Sequence, residues 1–367
     1  MARLLRTVAM LAVVIGATLA WGDTGYLPPP TLQFSLALEK DTFEVGEPIV
    51  ALVRLTNHGT GDYIVQTSTR PAGSFDGFAF AVEDERGQAV PPPHPRLPAT
   101  HWLGSWTTIR PREQTERKFF LNHWFLPLHP GRYTVRAQYI PRTTSGHHTV
   151  EWPPVHAAPV SFTIVPVGQT KLAVRIERLA AQLEAGDPLA ADFLGFTGET
   201  AAIAPLLRAL HQHDETVPRH AANALNNILD RPAVIAAALD ALRENGPNPV
   251  FVEWLHERRL PPAQLMPAYL DHLASPDVVT RRGALIGLRL ERDAEHAAVI
   301  RAHALRALAD PDASVRLEAV RLLAADPEAR VTLQRVAEQD SHESVRALAA
   351  TLVRESHPAG PPAELRP

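Results

Sequence analysis

The chain has 367 residues, enough for two hydrophobic cores, and 45% hydrophobic against 21% charged residues, a balance that excludes global disorder. The formal net charge is −4 and no basic module is hidden in it. Residues 31–166 carry 12 Lys and Arg against 12 Asp and Glu, and 167–367 carry 22 against 27, so nucleic acid is not expected as a partner. The absence of cysteine excludes disulfides, a lipidated N-terminal cysteine and thiolate chemistry.

The first element, residues 1–22, reads as a signal peptide: Arg3 and Arg6, an apolar run from Val8 to Ala17, then small residues near Ala20 and Gly22. The expected location is therefore periplasmic or extracellular. That run is shorter than the roughly 20 apolar residues a span needs, and no later segment approaches it, so no membrane span is expected in the mature chain.

After the Pro28-Pro29-Pro30 break, Leu32, Phe34, Leu36 and Leu38 alternate with smaller or polar residues, the period of a strand with one buried face. Ile49 to Leu55 predicts a fully buried strand, and Asn57 to Gly61 a turn. Short apolar runs follow at 63–65, 78–82, 106–109 and 116–121. Then Tyr133, Val135, Ala137 and Tyr139 alternate with polar residues behind the Pro130-Gly131 turn, and a last strand spans 160–164. Pro91 to Pro98 lacks the donors for a sheet and predicts an exposed loop.

Seven to nine short strands in this stretch suit two packed antiparallel sheets. The segments Phe43-Glu44-Val45-Gly46-Glu47-Pro48 and Leu128-His129-Pro130-Gly131-Arg132-Tyr133-Thr134-Val135 resemble bacterial immunoglobulin-like domains of exported proteins. The resemblance implies an immunoglobulin-like β-sandwich over residues 31–166. The linker near Pro153–Gly168 is short, which implies a restricted orientation of whatever follows.

From Lys171 to Glu355 the pattern turns helical. Ala190, Ala221, Val252, Ala284, Ala319 and Ala349 recur at spacings near 31 residues, the signature of a repeat array with six units. Four residues on, the frame finds Leu194, Leu225, Leu288, Leu323 and Val353, with His256 the exception and Leu255 its substitute. A preceding helix is marked by Ile176/Leu179, Leu207/Leu210, Leu239/Leu242, Leu270/Leu273, Leu305/Leu308 and Leu333/Val336. The third unit, with Pro247, Pro249 and Trp254, departs from the pattern, and 356–367 reads as a disordered tail.

Asp277-Val278-Val279-Thr280-Arg281 and Asp312-Ala313-Ser314-Val315-Arg316 each place an N-cap acceptor before an apolar helix, and Asp214 and Asp340 occupy similar points, with Arg219 and Arg346 downstream. The run Leu305-Arg306-Ala307-Leu308-Ala309-Asp310-Pro311 leading into Asp312 to Ala319 is similar to a bacterial HEAT repeat, of the kind also found in phycobilisome-lyase-like proteins. This resemblance implies an α-solenoid of helical hairpins, each burying its apolar face only against its neighbours. The expected class is thus multidomain β + α, a sandwich followed by a solenoid. In similar repeats residues such as Asp277, Arg281, Asp312, Arg316 and Arg346 cap helices and tie neighbouring hairpins, and they are read here as framework.

Two other groups are candidates for chemistry. His94, His101, His123, His129, His147, His148 and His156 are dense in the first half but lack metal-ligand spacing, so no metal is expected. Trp102, Trp106, Trp124 and Trp254 form a possible aromatic binding surface, against the plainer reading that they fill cores. No nucleophile elbow, phosphate loop or dinucleotide motif is present, and no catalytic residue or cofactor is expected. The leading expectation is an exported, non-enzymatic binding or scaffold protein that uses the solenoid to hold an unknown protein or peptide partner. The competing expectations are an enzyme or metal-binding protein with a site around His94, His123 and the tryptophans, a bilin lyase variant of it, and a sandwich that binds carbohydrate or protease.

Overall fold

A computed structural model of the protein describes residues 31–67, 77–91, 105–126, 129–145, 148–212, 216–291 and 296–355. The expected signal peptide, most of the proline-rich loop, His94, His101, Trp102, His147, Asp214 and the tail lie outside these residues. The described chain is a strand-rich N-terminal region followed by a helical C-terminal region.

The first region has twelve strands among the described residues: β1 (Leu32–Leu38), β2 (Thr42–Glu44), β3 (Val50–Asn57), β4 (Tyr63–Thr67), β5 (Phe78–Asp84), β6 (Ser105–Ile109), β7 (Gln114–Phe120), β8 (Gly131–Tyr139), β9 (Arg142–Ser145), β10 (His148–Glu151), β11 (Val155–His156) and β12 (Val160–Val165). One antiparallel sheet runs β1-β3-β7. The other runs β11-β8-β12-β2, with β5 also on β8 and a parallel β12–β2 pair, and β4–β6 and β9–β10 form two small sheets. In β8 the alternating Tyr133, Val135, Ala137 and Tyr139 are all buried.

The expected fully buried strand at 49–55 is corrected. β3 alternates Ala51, Val53 and Leu55 inward with Arg54 outward, where Arg54 meets Glu116 of β7 at 2.8 Å. The two large sheets share an aromatic core, with Phe78 centred 5.8 Å from Phe34, 4.7 Å from Tyr139 and 5.2 Å from Phe119. Two buried asparagines of this region are satisfied: Asn57 Nδ2 donates to the carbonyls of Gly61 (2.8 Å) and Ile109 (2.9 Å), while its Oδ1 accepts from the Gly59 amide. Asn122 likewise accepts from the Ile49 amide and donates to the Glu47 carbonyl, pinning the turn after β7 to the start of β3.

The connection to the helices is Pro166–Gly168, shorter than expected, because β11 and β12 occupy half of the predicted linker. Twelve α-helices follow among the described residues: α1 (Gln169–Glu184), α2 (Pro188–Phe196), α3 (Ile203–Ala209), α4 (Thr216–Leu225), α5 (Arg231–Asn245), α6 (Pro249–His256), α7 (Pro262–Asp271), α8 (Val278–Leu290), α9 (Ala297–Ala307), α10 (Ala313–Leu323), α11 (Arg330–Gln339) and α12 (Glu343–Glu355). None is long and apolar enough to cross a membrane. Asp187, Asp230, Asn248, Asp277 and Asp312 accept amide hydrogens at the starts of α2, α5, α6, α8 and α10, and Pro188 and Pro249 occupy first-turn positions that need no donor.

The even-numbered helices pack one on the next from α2 to α12, forming a second-helix layer, while α1, α3, α5 and α7 pack in sequence beside it. Ala190, Ala221, Val252, Ala284, Ala319 and Ala349 are at most 1% exposed, so the small side chains sit where consecutive even helices touch. At the irregular third unit Leu255 is buried while His256 is exposed. There α5 approaches α3 and α7 more closely than its own partner α6. Leu305, expected to mark a buried first-helix face, is 39% exposed, a correction: α9 fixes its inner face through Ile300 and Ala304 instead.

Gly195 sets the spacing of α2 and α4. A Cβ there would lie 2.8 Å from the Ala224 Cα and carbonyl oxygen, with backbone that cannot rotate away. Gly195→Ala is expected to cost about 1–3 kcal/mol by overpacking, read as a lower urea midpoint.

The two regions meet at a defined junction. Glu44 of β2 pairs with Lys171 and Arg175 of α1, and Arg175 Nη1 donates to the Val45 carbonyl at 3.1 Å. Gly46 adopts φ 74° and sits so close to α2's end that a Cβ would meet the Thr197 Cα at 3.0 Å. Phe120, the last residue of β7, packs edge-on to Phe193 at 5.1 Å, and His123 lies 5.1 Å from Phe196.

The Lys171 hydrogen bond, helped by Arg175, holds the Glu44 carboxyl below its usual range against the opposing effect of burial. A carboxylate whose pKa is lower folded than unfolded stabilises the junction fully above the unfolded value of about 4.3, and this is lost as pH falls through the folded value. Glu44→Gln is expected to flatten that acid dependence, measured as thermal midpoint between pH 3 and 6.

Candidate binding surface

The sequence places Asp277, Arg281, Asp312, Arg316 and Arg346 at the turns between paired helices, and the structure joins them into a relay. Arg281 reaches back with Nη1 to the carbonyls of Ser275 and Pro276, and forward with Nε and Nη2 to both oxygens of Asp310 at 2.7 and 3.0 Å. Arg316 repeats this one unit later, holding the carbonyls of Asp310 and Pro311 and both Asp340 oxygens at 2.9 Å. Arg346 donates to the Asp340 carbonyl.

Asp277 and Asp312 do the capping, so clamp and cap fall on different aspartates. The Ser314 hydroxyl and amide hold Asp312, and the Arg316 fork holds Asp340, below the usual carboxylate range. Arg281 and Arg316 are raised by the same pairings. These groups are spent on one another.

The expected aromatic surface is corrected at two positions. Trp124 is 8% exposed, edge-on to Phe80 at 4.8 Å and Phe119 at 5.7 Å in the strand-region core. Trp254 is 4% exposed on α6. Its Nε1 donates to Asn226 at 3.2 Å and its ring carries the Arg258 guanidinium at 4.1 Å. Trp106 lies in β6, and Trp102 lies outside the described residues. Of the histidines whose side chains are described, His123 packs on Phe196, the His129 carbonyl accepts from Tyr133, and His156 lies on β11. No group of three or more metal-competent side chains occurs among the described residues.

Along the second-helix layer, buried carboxylates face partly exposed bases at three of the five joints between even helices. Asp192 of α2 accepts from His220 Nδ1 of α4 at 2.8 Å, with Asp192 buried and His220 28% exposed. The Asp192 hydrogen bond favours the imidazolium and raises the His220 pKa, against the opposing effect of burial. His256, at the end of α6, donates to the buried Glu291 beyond α8, also at 2.8 Å.

Between α8 and α10 the buried Glu318 carboxylate faces Arg282 (3.9 Å), Arg289 (3.8 Å) and Arg321. His220 and Glu318 each sit one residue before a register alanine, Ala221 and Ala319. A titratable residue in that slot is the signal that could have found them.

Two open grooves complete the surface. One of about 650 Å³ lies between α5 and α7, lined by Leu239, Arg243, Gln264, Pro267 and Asp271. The other, about 670 Å³, lies at the junction beside Glu44, Val174, Arg175 and Phe193. Of their lining charges, Arg243 pairs with Asp240, and Glu44 with Arg175.

Neither protein-family models nor curated proteins give a match to the chain. Solved structures are similar to parts of it. A designed armadillo repeat protein in complex with peptide (KR)4 is 16% identical over 52% of this chain and 94% of its own, with a TM-score of 0.31. The complex of CpcE and CpcF of phycocyanin lyase from Nostoc is 19% identical over 50% of this chain and 76% of the matched chain, at 0.27. A CARDB domain from Pyrococcus furiosus, in complex with di-metal ions, is 15% identical over 39% of this chain and all of its own, at 0.22. The case for function rests on this chain's own residues.

Proposed function

We propose that the protein is an exported binding protein whose second-helix layer, read as the face of a HEAT-like α-solenoid, holds a protein or peptide partner. In this reading an immunoglobulin-like sandwich is docked at one end of the solenoid and fixes its orientation. One observation carries it. The even helices follow one another without a break, and their joints present His220, His256, Arg282, Arg289 and Arg321 from carboxylates that are themselves buried. Burying an acid to hold a base costs desolvation unless the pair is well formed, so the arrangement fixes donors in position before any ligand arrives. The relay arginines make the surface a rigid platform.

The test is site-specific photocrosslinking in the exported fraction of the native host. A crosslinking residue at Asn223 or Glu253, exposed on α4 and α6, is expected to capture the same protein. One at Val331, 71% exposed on α11, is expected not to. Equal capture from all three positions, or absence of the chain from exported fractions, would overturn the proposal.

A further inference from the structure

The cluster around Glu318 is built differently from the relay, and its donors are left over. The Glu318 side chain is 3% exposed, yet its Oε2 has no hydrogen-bond partner, and neither has the buried Nε of Arg289. Arg282 and Arg289 stand at 3.9 and 3.8 Å from the carboxylate, within ion-pair range and beyond good hydrogen-bond distance. Only Arg321 makes a hydrogen bond to it, through Nη1.

Three guanidiniums therefore surround one carboxylate, a net charge of about +2, and each carries five N–H donors in a planar fork. The three side chains are 38–46% exposed, so each guanidinium-bearing side chain is partly open to solvent. A buried orphan carboxylate oxygen is costly, and a structure that needed only a neutral pair would have used one arginine. Glu318 acts as an anchor that draws the three cations together, against their mutual repulsion, on an open helix face.

We infer that this cluster is the docking point for the acidic side chains of a peptide segment. The inference rests on the binding reading above and names the chemistry of the partner. A guanidinium fork matches a carboxylate bidentately, and among the described residues Glu318 is the one carboxylate paired with these three arginines. The site lies on a helix layer, away from the two grooves described above. Neighbouring packed helices lie about 8–10 Å apart, so the distance from α4 to α10 is on the order of 30 Å, the length of roughly nine residues of extended peptide. His220 and His256 add donors along that path, and Glu253 on α6 and Glu257 just after it confine the strongly cationic stretch to the α8–α10 end.

The experiment is fluorescence anisotropy of the full chain with fluorescein-labelled octaglutamate, octaserine and octalysine, and calorimetry with inorganic phosphate. Octaglutamate is expected to bind, octaserine and octalysine not. The Arg289→Gln/Arg321→Gln pair is expected to weaken octaglutamate at least about tenfold. Glu318→Gln, which removes the anchor's charge and keeps its shape, is expected to tighten it severalfold. Arg54→Gln, on the outer face of β3, is expected to change nothing. Arg321→Gln alone, the most exposed of the three, serves if the double variant fails to fold.

Unchanged octaglutamate affinity in the arginine variants would overturn the inference, as would phosphate binding as tightly as the peptide. Binding of octaserine or octalysine in its place would overturn the acidic partner and leave the binding reading standing. Loss of partner capture at Asn223 and Glu253 with octaglutamate still bound would do the reverse.

Discussion

Arg316→Ala is expected to destabilise the helical region by about 3–5 kcal/mol, the range for removing one partner of a buried ion pair. The side chain is only 10% exposed and makes five hydrogen bonds: two to the carbonyls of its own turn, two to the Asp340 carboxylate and one to the Ser341 hydroxyl. Alanine leaves the Asp340 carboxylate, itself 8% exposed, without its counter-charge, and leaves two turn carbonyls without a donor. Lysine restores charge but no fork, so Arg316→Lys is expected to recover less than half of the loss. Urea unfolding followed by circular dichroism at 222 nm measures both variants. A loss below about 1 kcal/mol, the value of an exposed pair, would show that the relay does not brace the helices.

The second large effect is expected at the junction, from Phe196→Ala. Phe196 is fully buried, 6.0 Å from Phe193, 6.5 Å from Phe120 and 5.1 Å from His123, so it belongs to the contact between the two regions. Emptying such a site costs about 3–5 kcal/mol when the surroundings cannot collapse. Collapse is hindered here because Gly46 already touches the Thr197 backbone and Arg175 is held by Glu44 and Val45. The expected result is separation of unfolding into two calorimetric transitions, with faster proteolysis at Pro166–Gly168. A single transition shifted by less than about 1 kcal/mol would mean the regions are stabilised independently of this ring.

The division into strand-rich and helical halves was legible because it rests on period, and period is local. Tyr133 to Tyr139 alternate in sequence and in burial, and the spacing of Ala190, Ala221, Val252, Ala284, Ala319 and Ala349 marks the touching points of the even helices. Long-range pairing was not legible. The parallel contact of β12 with β2 joins segments more than a hundred residues apart, and nothing in either announces the other.

The aspartates show the boundary most clearly. Capping by Asp277 and Asp312 follows from a residue's position before its own helix, whereas clamping by Asp310 and Asp340 depends on where the previous unit's arginine points. Trp124 and Trp254 misled because a tryptophan's sequence position carries no sign of which side of a sheet or helix it faces. Glu318, one residue before a register alanine, was passed over because a charged residue there looks like an ordinary helix surface.

The relay also has a direction. Arg281 closes on Asp310 and Arg316 on Asp340, 29 and 24 residues later in the chain, so each arginine reaches toward residues made after it. Whether the chain leaves a ribosome or a translocation pore N-terminus first, every arginine arrives before its carboxylate. At synthesis rates of roughly 5–20 residues per second each latch stays open for seconds and shuts when the next turn emerges. The helices are thus secured in the order in which they appear, and each new unit forms against one that is already folded.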